Sequence, residues 1–479
     1  MYEDVLYYAV DYALSQGATY AEARYHKNYG SEIIVRNGSV VSAGMLKREG
    51  IGIRVILEGA MAFSSTTDLS REGVRKAVDK AVSLARSSRP LIKRPHTLSD
   101  ERVGKAKYEV VVKEKFEDIA LEDKIKLMVA LWSELPRVLR ETKMVSLFEE
   151  YREGIEEKTL ITSDGACVVS KVPRVFYGAN IVLAHSQKGT LQRLIEFGGS
   201  GGYEIFRSWN IEDRLKEEVK NIEPVLAKGT EPPKEPVDVI IGSEVVGLIV
   251  HESAGHPMEA DRIWGREAAQ AGESYVKPEM IGKERIGNEL ATVIDDPTVP
   301  GSYGFYLYDD EGVPARPRYI YYRGLINEPL HNRWSAAVFG VKSNAAARAM
   351  DYTSEPLVRM ANTYLEPGDR SFEELIEDIK LGIYVKSYME WNIDDIRWGQ
   401  RYVGLESYVI RKGEIAEPIL YPVLEFTTKS FYSSIVAKGK ELRFYPGTCG
   451  KGEPAQGIPV WFGGPDVRLS RMRVGVAPR

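Results

Sequence analysis

Residues 251–256 read His-Glu-Ser-Ala-Gly-His, and the spacing of the two histidines limits what the chain around them can be. On a regular α-helix, positions i and i+5 lie about 140° apart around the axis, so the two imidazoles face different ways. Histidines at i and i+4 lie almost above each other, as in the familiar zinc-peptidase helix. For both side chains here to reach one metal ion, the helix must be distorted. Gly255 tolerates backbone conformations that other residues avoid. Pro257 disfavours α geometry at His256, which places His256 at or just past the helix end. A wide turn of the π type also brings i and i+5 together. The bland alternative is two histidines capping a helix end by coincidence. The chain has six histidines in all, His26, His96, His185, His251, His256 and His331, so chance pairing in this pattern is rare and a metal is favoured.

A catalytic zinc usually has three protein ligands and an open position for water. Cys449 is the best candidate for the third, in Gly447-Thr-Cys-Gly-Lys-Gly452, a stretch expected to be a flexible loop. Cys167, in a strand pattern at Ala166–Val169, is expected in the core. Glu259 and Asp261 are expected either to ligate or to orient the histidines as acceptors. Zn²⁺ with two imidazoles and one thiolate keeps a net positive charge, which polarises a bound water and a substrate carbonyl. Glu252 follows a ligand directly and is the candidate general base, taking the water's proton and passing it to the leaving amine. Iron or cobalt could occupy the same ligands.

The rest of the sequence frames this site. At 479 residues, the length corresponds to about three domain-sized units. The densest break is Lys228-Gly-Thr-Glu-Pro-Pro-Lys-Glu-Pro236, a stiff exposed connector. It is expected to divide an N-terminal α+β domain, 1–228 with sub-blocks of about 1–90 and 100–228, from a C-terminal metal-binding domain, 237–479. Helical spacing is clear at Leu6, Ala9, Val10, Ala13 and Leu14, again after Ser70, and around Leu121–Leu135. Strands are expected at Tyr20–Lys27 and Ser31–Arg36, with Asn37-Gly38 turning the chain into Ser39–Ala43, then at Ile51–Leu57. Val237–Ile241 reads as a buried strand, and Ser243 as the cap of the helix that leads to His251.

Sixty-four basic against 69 acidic residues give a net charge of −5, no electrostatic basis for nucleic acid or an anionic membrane as partner. Two cysteines exclude a disulfide scaffold. The N-terminus is acidic where a signal peptide is basic, and Val245–Val250 is too short to span a bilayer. The expectation is a cytoplasmic protein.

Several separated segments, in order, resemble the TldD/PmbA family of metallopeptidases. They are Gly50-Ile-Gly-Ile-Arg-Val55, Phe63-Ser-Ser-Thr66 with Leu69–Val74, His251–His256 continued by Met258-Glu-Ala-Asp261, and Val293–Gly301. Asp309-Asp-Glu-Gly312, Arg359–Tyr364, Pro367-Gly-Asp369 and Gly447–Lys451 complete the set. The resemblance implies a two-domain α+β chain with mixed sheets and packed helices. It implies zinc held by His251, His256 and Cys449, with Glu252 as base. It also implies an unfolded or extended peptide as substrate and a dimer, either a homodimer or a heterodimer with a related subunit. Arg359, Asn362, Thr363 and Tyr364 are expected to bind the peptide by strand addition. Where the family is often glycine-rich, this chain reads Tyr388-Met-Glu-Trp-Asn-Ile-Asp394, and the bulk of Glu390 and Trp391 is expected to affect the peptide channel.

Two other functions compete with the peptidase. One is a non-catalytic partner or adaptor subunit with a structural zinc; the other is a zinc hydrolase for a non-peptide amide. Phe197–Tyr203 lacks the Lys-Ser/Thr end of a phosphate loop and is expected to be an ordinary mobile loop. Tyr303–Tyr308 is expected to supply aromatic positions in a sheet.

Overall fold

A computed structural model describes residues 2–267, 272–452 and 454–477 of the chain. Met1 and residues 478–479, at the ends of the expected domain ranges, lie outside the described residues. The fold is mixed α+β. The opening helix α1 (Glu3–Ser15) buries Leu6, Ala9, Val10 and Ala13, and leaves Leu14 exposed. Gly17 ends it at φ 97°. Seven strands follow: β1 (Tyr20–Arg36), β2 (Ser39–Leu57), β3 (Ala60–Thr66), β4 (Lys105–Glu109), β5 (Lys143–Thr162), β6 (Cys167–His185) and β7 (Gly189–Ser200). They form one sheet in the order β3-β2-β1-β5-β6-β4, with β7 also paired to β6.

β1 runs unbroken through the stretch where two strands are expected. Gly30 does not interrupt it, because it sits opposite Gly154 of β5. A Cβ at Gly30 would stand 1.9 Å from the Glu153 carbonyl oxygen, so glycine here serves close approach of two backbones rather than a turn. Asn37 and Gly38, both at positive φ, make the expected hairpin turn.

Helix α2 (Arg71–Ser88) is capped by the Ser70 side chain, which accepts from Gly73 N at 3.1 Å. With α1 it packs on the β1–β2 end of the sheet. Elsewhere α3 (Leu121–Glu134) packs Met128 and Leu131 into the core that holds Ile33, Tyr151 and Tyr177. Two helices absent from the sequence reading, α4 (Tyr203–Ser208) and α5 (Ile211–Lys228), pack into the same core. Phe197–Ser200 is the end of β7 rather than a loop, and Tyr303–Tyr308 forms turns rather than strand.

α5 ends at Lys228 and β8 (Val237–Ile241) begins after the prolines. Beyond them lie two six-stranded sheets, one of them built around β8. The other orders Leu325–Ile326, Arg318–Tyr322, β9 (Val293–Asp295), Asn362–Leu365, Gln456–Gly464 and Arg443–Lys451. The last of these, the cysteine strand, carries Cys449. Helix α6 (Ser243–Val250) lies against this sheet, and Gly247 lets it come close: a Cβ there would be 2.8 Å from Gly463 N. Ser243 is the first helical residue rather than the cap, and its N–H is satisfied from a distance by Asp466 Oδ1 at 2.8 Å. Among the described residues, no helix is long and apolar enough to cross a membrane.

Buried ion pairs tie the N-terminal sheet to the rest. Arg54 Nη2 donates to Glu22 and to Glu311, each at 2.7 Å, and all three side chains are buried. Arg24 Nη2 donates to the carbonyls of Asp351 and Ser354. Removing one partner from such a pair leaves uncompensated buried charge. Arg54→Ala should therefore cost about 3–5 kcal/mol, read as a lowered urea midpoint; a loss near zero would show that these contacts are screened.

Candidate metal centre

Helix α6 delivers the histidine motif onto the sheet. At its end the chain winds into a π turn, His251–Gly255, followed by one 3₁₀ turn, His256–Met258. The N–H of His256 donates to the carbonyl of His251, an i to i+5 bond, and this widening brings the two histidines together. The expected means are corrected in detail. Gly255 has ordinary helical dihedrals (φ −56°), as does His256 (φ −61°), so no unusual glycine conformation is needed, and His256 stands, as expected, at the end of the π turn, where the last 3₁₀ turn begins. Glycine at 255 is instead a matter of space: a Cβ would stand 1.9 Å from Met360 Sδ.

The π turn is held from outside. The carbonyl of Ser253 accepts from the hydroxyls of Tyr275 (3.2 Å) and Tyr321 (3.0 Å), and its Oγ pairs with the hydroxyl of Tyr432 at 2.8 Å. Nothing in the sequence pattern singles out these three buried tyrosines.

His251, His256 and Cys449 converge, all three buried, with one donor atom of each within 4.8 Å of the others. The imidazoles meet edge-on, ring centroids 4.8 Å apart, and Cys449 Sγ lies 3.6 Å from His256 Nε2. Ligands of a tetrahedral zinc stand about 3.3–3.7 Å from one another. His251 Nδ1 is buried without a hydrogen-bond partner among the described residues. The donor set and its spacing therefore fit a metal ion.

The charges around the cluster favour that use. Burial pushes the Cys449 thiol up, but His256 and Arg359 outweigh it and bring it down to about 7, toward the thiolate a metal needs. Burial holds the His251 imidazole below its usual range, toward the neutral form that ligates. Glu259 Oε2 lies 3.1 Å from His256 Nδ1, and as an acceptor it fixes the proton there and leaves Nε2 for a metal. Arg262 (2.6 Å) and Lys451 (3.2 Å) also hold Glu259. Burial alone would raise the Glu259 carboxyl, but Lys451, Arg262 and His256 keep it well below the usual range. Asp261 pairs with Lys451 at 2.7 Å rather than with a histidine, so of the two expected orienting acids only Glu259 does that.

Cys449 lies in a strand, not in a flexible loop: Cys449 pairs with Ile458 across the hairpin, and Arg359 donates to its carbonyl. Glu252 is buried beside the cluster and ion-paired with Arg397. Burial raises its carboxyl, but Arg397 and then the two histidines more than offset this and keep it ionised. Arg397 stands on the turn (φ 64°) between the strands Tyr388–Ile393 and Gly399–Gly404, its own carbonyl fixed by Thr428 Oγ1 at 2.9 Å. Glu390 and Trp391 are exposed, and Arg397, just past this segment, reaches Glu252.

The expected peptide-binding residues are placed otherwise. Asn362–Leu365 is paired on both sides, by β9 and by Gln456–Gly464, so no backbone edge is open for strand addition there. Asn362 bonds Asp296 O and Ser302 Oγ, and Thr363 bonds Asp295 Oδ1. Arg359 clamps the Cys449 hairpin, bonding Gln456 O as well. Tyr364 packs edge-on against Phe444.

Family models match along the chain. One described as the PmbA/TldA metallopeptidase C-terminal domain covers residues 234–476; domain 1 of that group covers 21–85, and its central domain 114–223. A metalloprotease of Methanothermobacter thermautotrophicus is 30% identical over 461 residues, 95% of each chain. A zinc metalloprotease TldD homolog of Saccharolobus solfataricus is 28% identical over 466 residues, 96% of this chain and 97% of that one. The crystal structure of TldE from Thermococcus kodakarensis shares the fold with TM-score 0.77 at 15% identity, covering 98% of this chain and 100% of that one.

The tyrosine hydroxyls on Ser253 give a direct test of the π turn. Each such bond is worth about 1 kcal/mol, so the double substitution Tyr275→Phe with Tyr321→Phe should weaken zinc binding by up to roughly thirtyfold in a chelator competition. Unchanged affinity would mean that the turn holds itself.

Proposed function

The chain belongs to the PmbA/TldD metallopeptidase family, and from that premise we propose that it is a zinc-dependent peptidase acting on unfolded or extended peptides. The observation that carries this reading is the buried convergence of His251, His256 and Cys449 with Glu252 on the same π turn. Zinc held by these three would supply a Lewis acid with an open position for water and a substrate carbonyl. A thiolate and two imidazoles suit zinc, and the Saccharolobus relative carries zinc in its name. A structural zinc normally has four protein ligands. The cluster offers three among the described residues, which favours the catalytic reading over the adaptor one.

Glu252 takes the attacking water's proton onto its carboxylate and returns it to the leaving amide nitrogen. Arg397 orients that carboxylate and favours its ionised form, so Glu252 is ready to accept a proton and quick to give it up. The substrate's backbone has a place beside the metal ligands. Among the described residues the cysteine strand is the outer strand of its sheet, paired only with Gln456–Gly464, an edge for an extended peptide that Asn362–Leu365 lacks. The same reading takes the chain as a cytoplasmic subunit of a homodimer or of a heterodimer with a related chain.

The test compares three purified proteins for zinc content and for turnover of an unfolded peptide. Glu252→Gln should keep about one zinc per chain while turnover falls about 10²–10⁴-fold. Cys449→Ala should lose the metal and the activity together. Turnover at the parent rate by Glu252→Gln would remove Glu252 from its role. A parent that binds zinc but cleaves no peptide would leave the adaptor reading in place.

A further inference from the structure

Between the N-terminal sheet and the metal-bearing half lies a cavity of about 740 Å³. Two strand edges form its opposite sides. Among the described residues, β7 pairs only with β6, and the cysteine strand only with Gln456–Gly464, so each presents an outer edge. The strands meet at Gly198 of β7, where a Cβ would stand 2.7 Å from Pro446 Cβ and where the carbonyl accepts from Trp461 Nε1 at 2.7 Å. The cavity lies against this meeting point, lined by Glu196 and Phe197 of β7 and by Phe444, Tyr445 and Pro446 of the cysteine strand.

The cavity neighbours the candidate site. Tyr445 and Cys449 are four residues apart on one strand, hence on the same face and about 13 Å apart. The Tyr445 ring stacks on Phe462, whose ring meets His251 edge-on, both with centroids 6.1 Å apart. Tyr388 joins them from the other side: after burial, the charges of Glu244, Glu196 and Glu252 are among those that hold its phenol above the usual range. A peptide lying along the cysteine strand with its cleaved bond at the ligands passes this cavity several residues away.

The charges of the cavity wall are satisfied with one exception. Arg193 is shared by Glu218 (2.5 Å) and Glu244 (2.7 Å), and Lys386 pairs with Glu406 at 2.8 Å. Arg214 pairs with Glu217, and Arg443 with Glu441. Glu196 alone among these wall charges has neither an ion pair nor a hydrogen bond among the described residues. Burial pushes its carboxyl up to about 7, with Arg152 opposing and Glu150 adding. Phe444 and Trp461, stacked with ring centroids 5.1 Å apart, line the same space. A carboxylate among aromatic rings is a receptor for an organic cation, held by charge and by cation–π attraction.

We propose that this cavity is a specificity subsite in which Glu196 selects a lysine or arginine side chain of the extended substrate. The proposal rests on the peptidase reading, and binding can be measured apart from cleavage. The zinc-loaded Glu252→Gln protein would be titrated into fluorescent peptides of alanine, glycine and serine in which one lysine is walked along the sequence, with norleucine in its place as control. Lysine at one favoured position should tighten binding about tenfold over norleucine. Adding Glu196→Gln should abolish that preference while leaving zinc content and the affinity for lysine-free peptide unchanged. In the otherwise unaltered enzyme, Glu196→Gln should raise KM for the favoured lysine peptide without moving its kcat. Equal affinity at every position, or a preference that survives Glu196→Gln, overturns the proposal. A Glu196-dependent preference in a protein whose parent cleaves no peptide upholds the subsite and sinks the peptidase reading. Cleavage without any lysine preference does the reverse.

Discussion

The hydrogen bond from His256 N–H to the His251 carbonyl is the constraint on which the site depends. An ordinary helical bond at that position would turn the imidazoles about 140° apart and leave Cys449 facing one of them. The wide turn does not hold by local preference alone. Three tyrosines grip Ser253 from three segments of the chain, and Met360 fills the space that Gly255 leaves. The distortion is a small local change made stable by a large surrounding core.

Helix–sheet spacing sets the other half of the geometry. Gly247 lies directly against Gly463, so α6 approaches the sheet as closely as two backbones allow. That approach places His251 and His256 over the strand carrying Cys449. Arg359 then fixes that strand through the Cys449 carbonyl, and Lys451 on the same strand joins the Glu259 network behind His256. Both sides of the candidate metal centre are thus held by buried charged groups, where ion pairs and hydrogen bonds gain strength from the low dielectric.

What was legible in the sequence was what short-range chemistry dictates. The i, i+5 spacing already required a distorted helix, with a wide turn as one way to make it, and the pair of histidines pointed to Cys449, which the fold brings beside them. Helix α1, helix α2 with its Ser70 cap, and the Asn37-Gly38 hairpin follow from periodicity and turn chemistry. What was not legible depends on contacts far apart in the chain. Arg397 is 145 residues from Glu252, and Asp466 is 223 from the helix start it caps. Gly30 and Gly450 read as breaks because glycine is depleted in strands, yet both lie within strands. The Arg359–Tyr364 motif suggested strand addition, yet the backbone of Asn362–Leu365 is already paired on both sides, which only the assembled sheet reveals.

The distance along the chain between His256 and Cys449, 193 residues, has a bearing on assembly. The two histidines sit on one short turn and can meet as soon as that turn forms, whereas the thiolate arrives only after a long loop has closed. Closing so long a loop is slow compared with local helix formation, because non-local contacts repay their entropy only when they are made. A metal ion caught early would have two ligands and exchange freely. Capture by the third would fasten the two ends of the loop together, so that the free energy of metal binding becomes free energy of folding for this half of the molecule. Were a metal bound there, its retention would be a late event in maturation and a report on whether the whole half has closed.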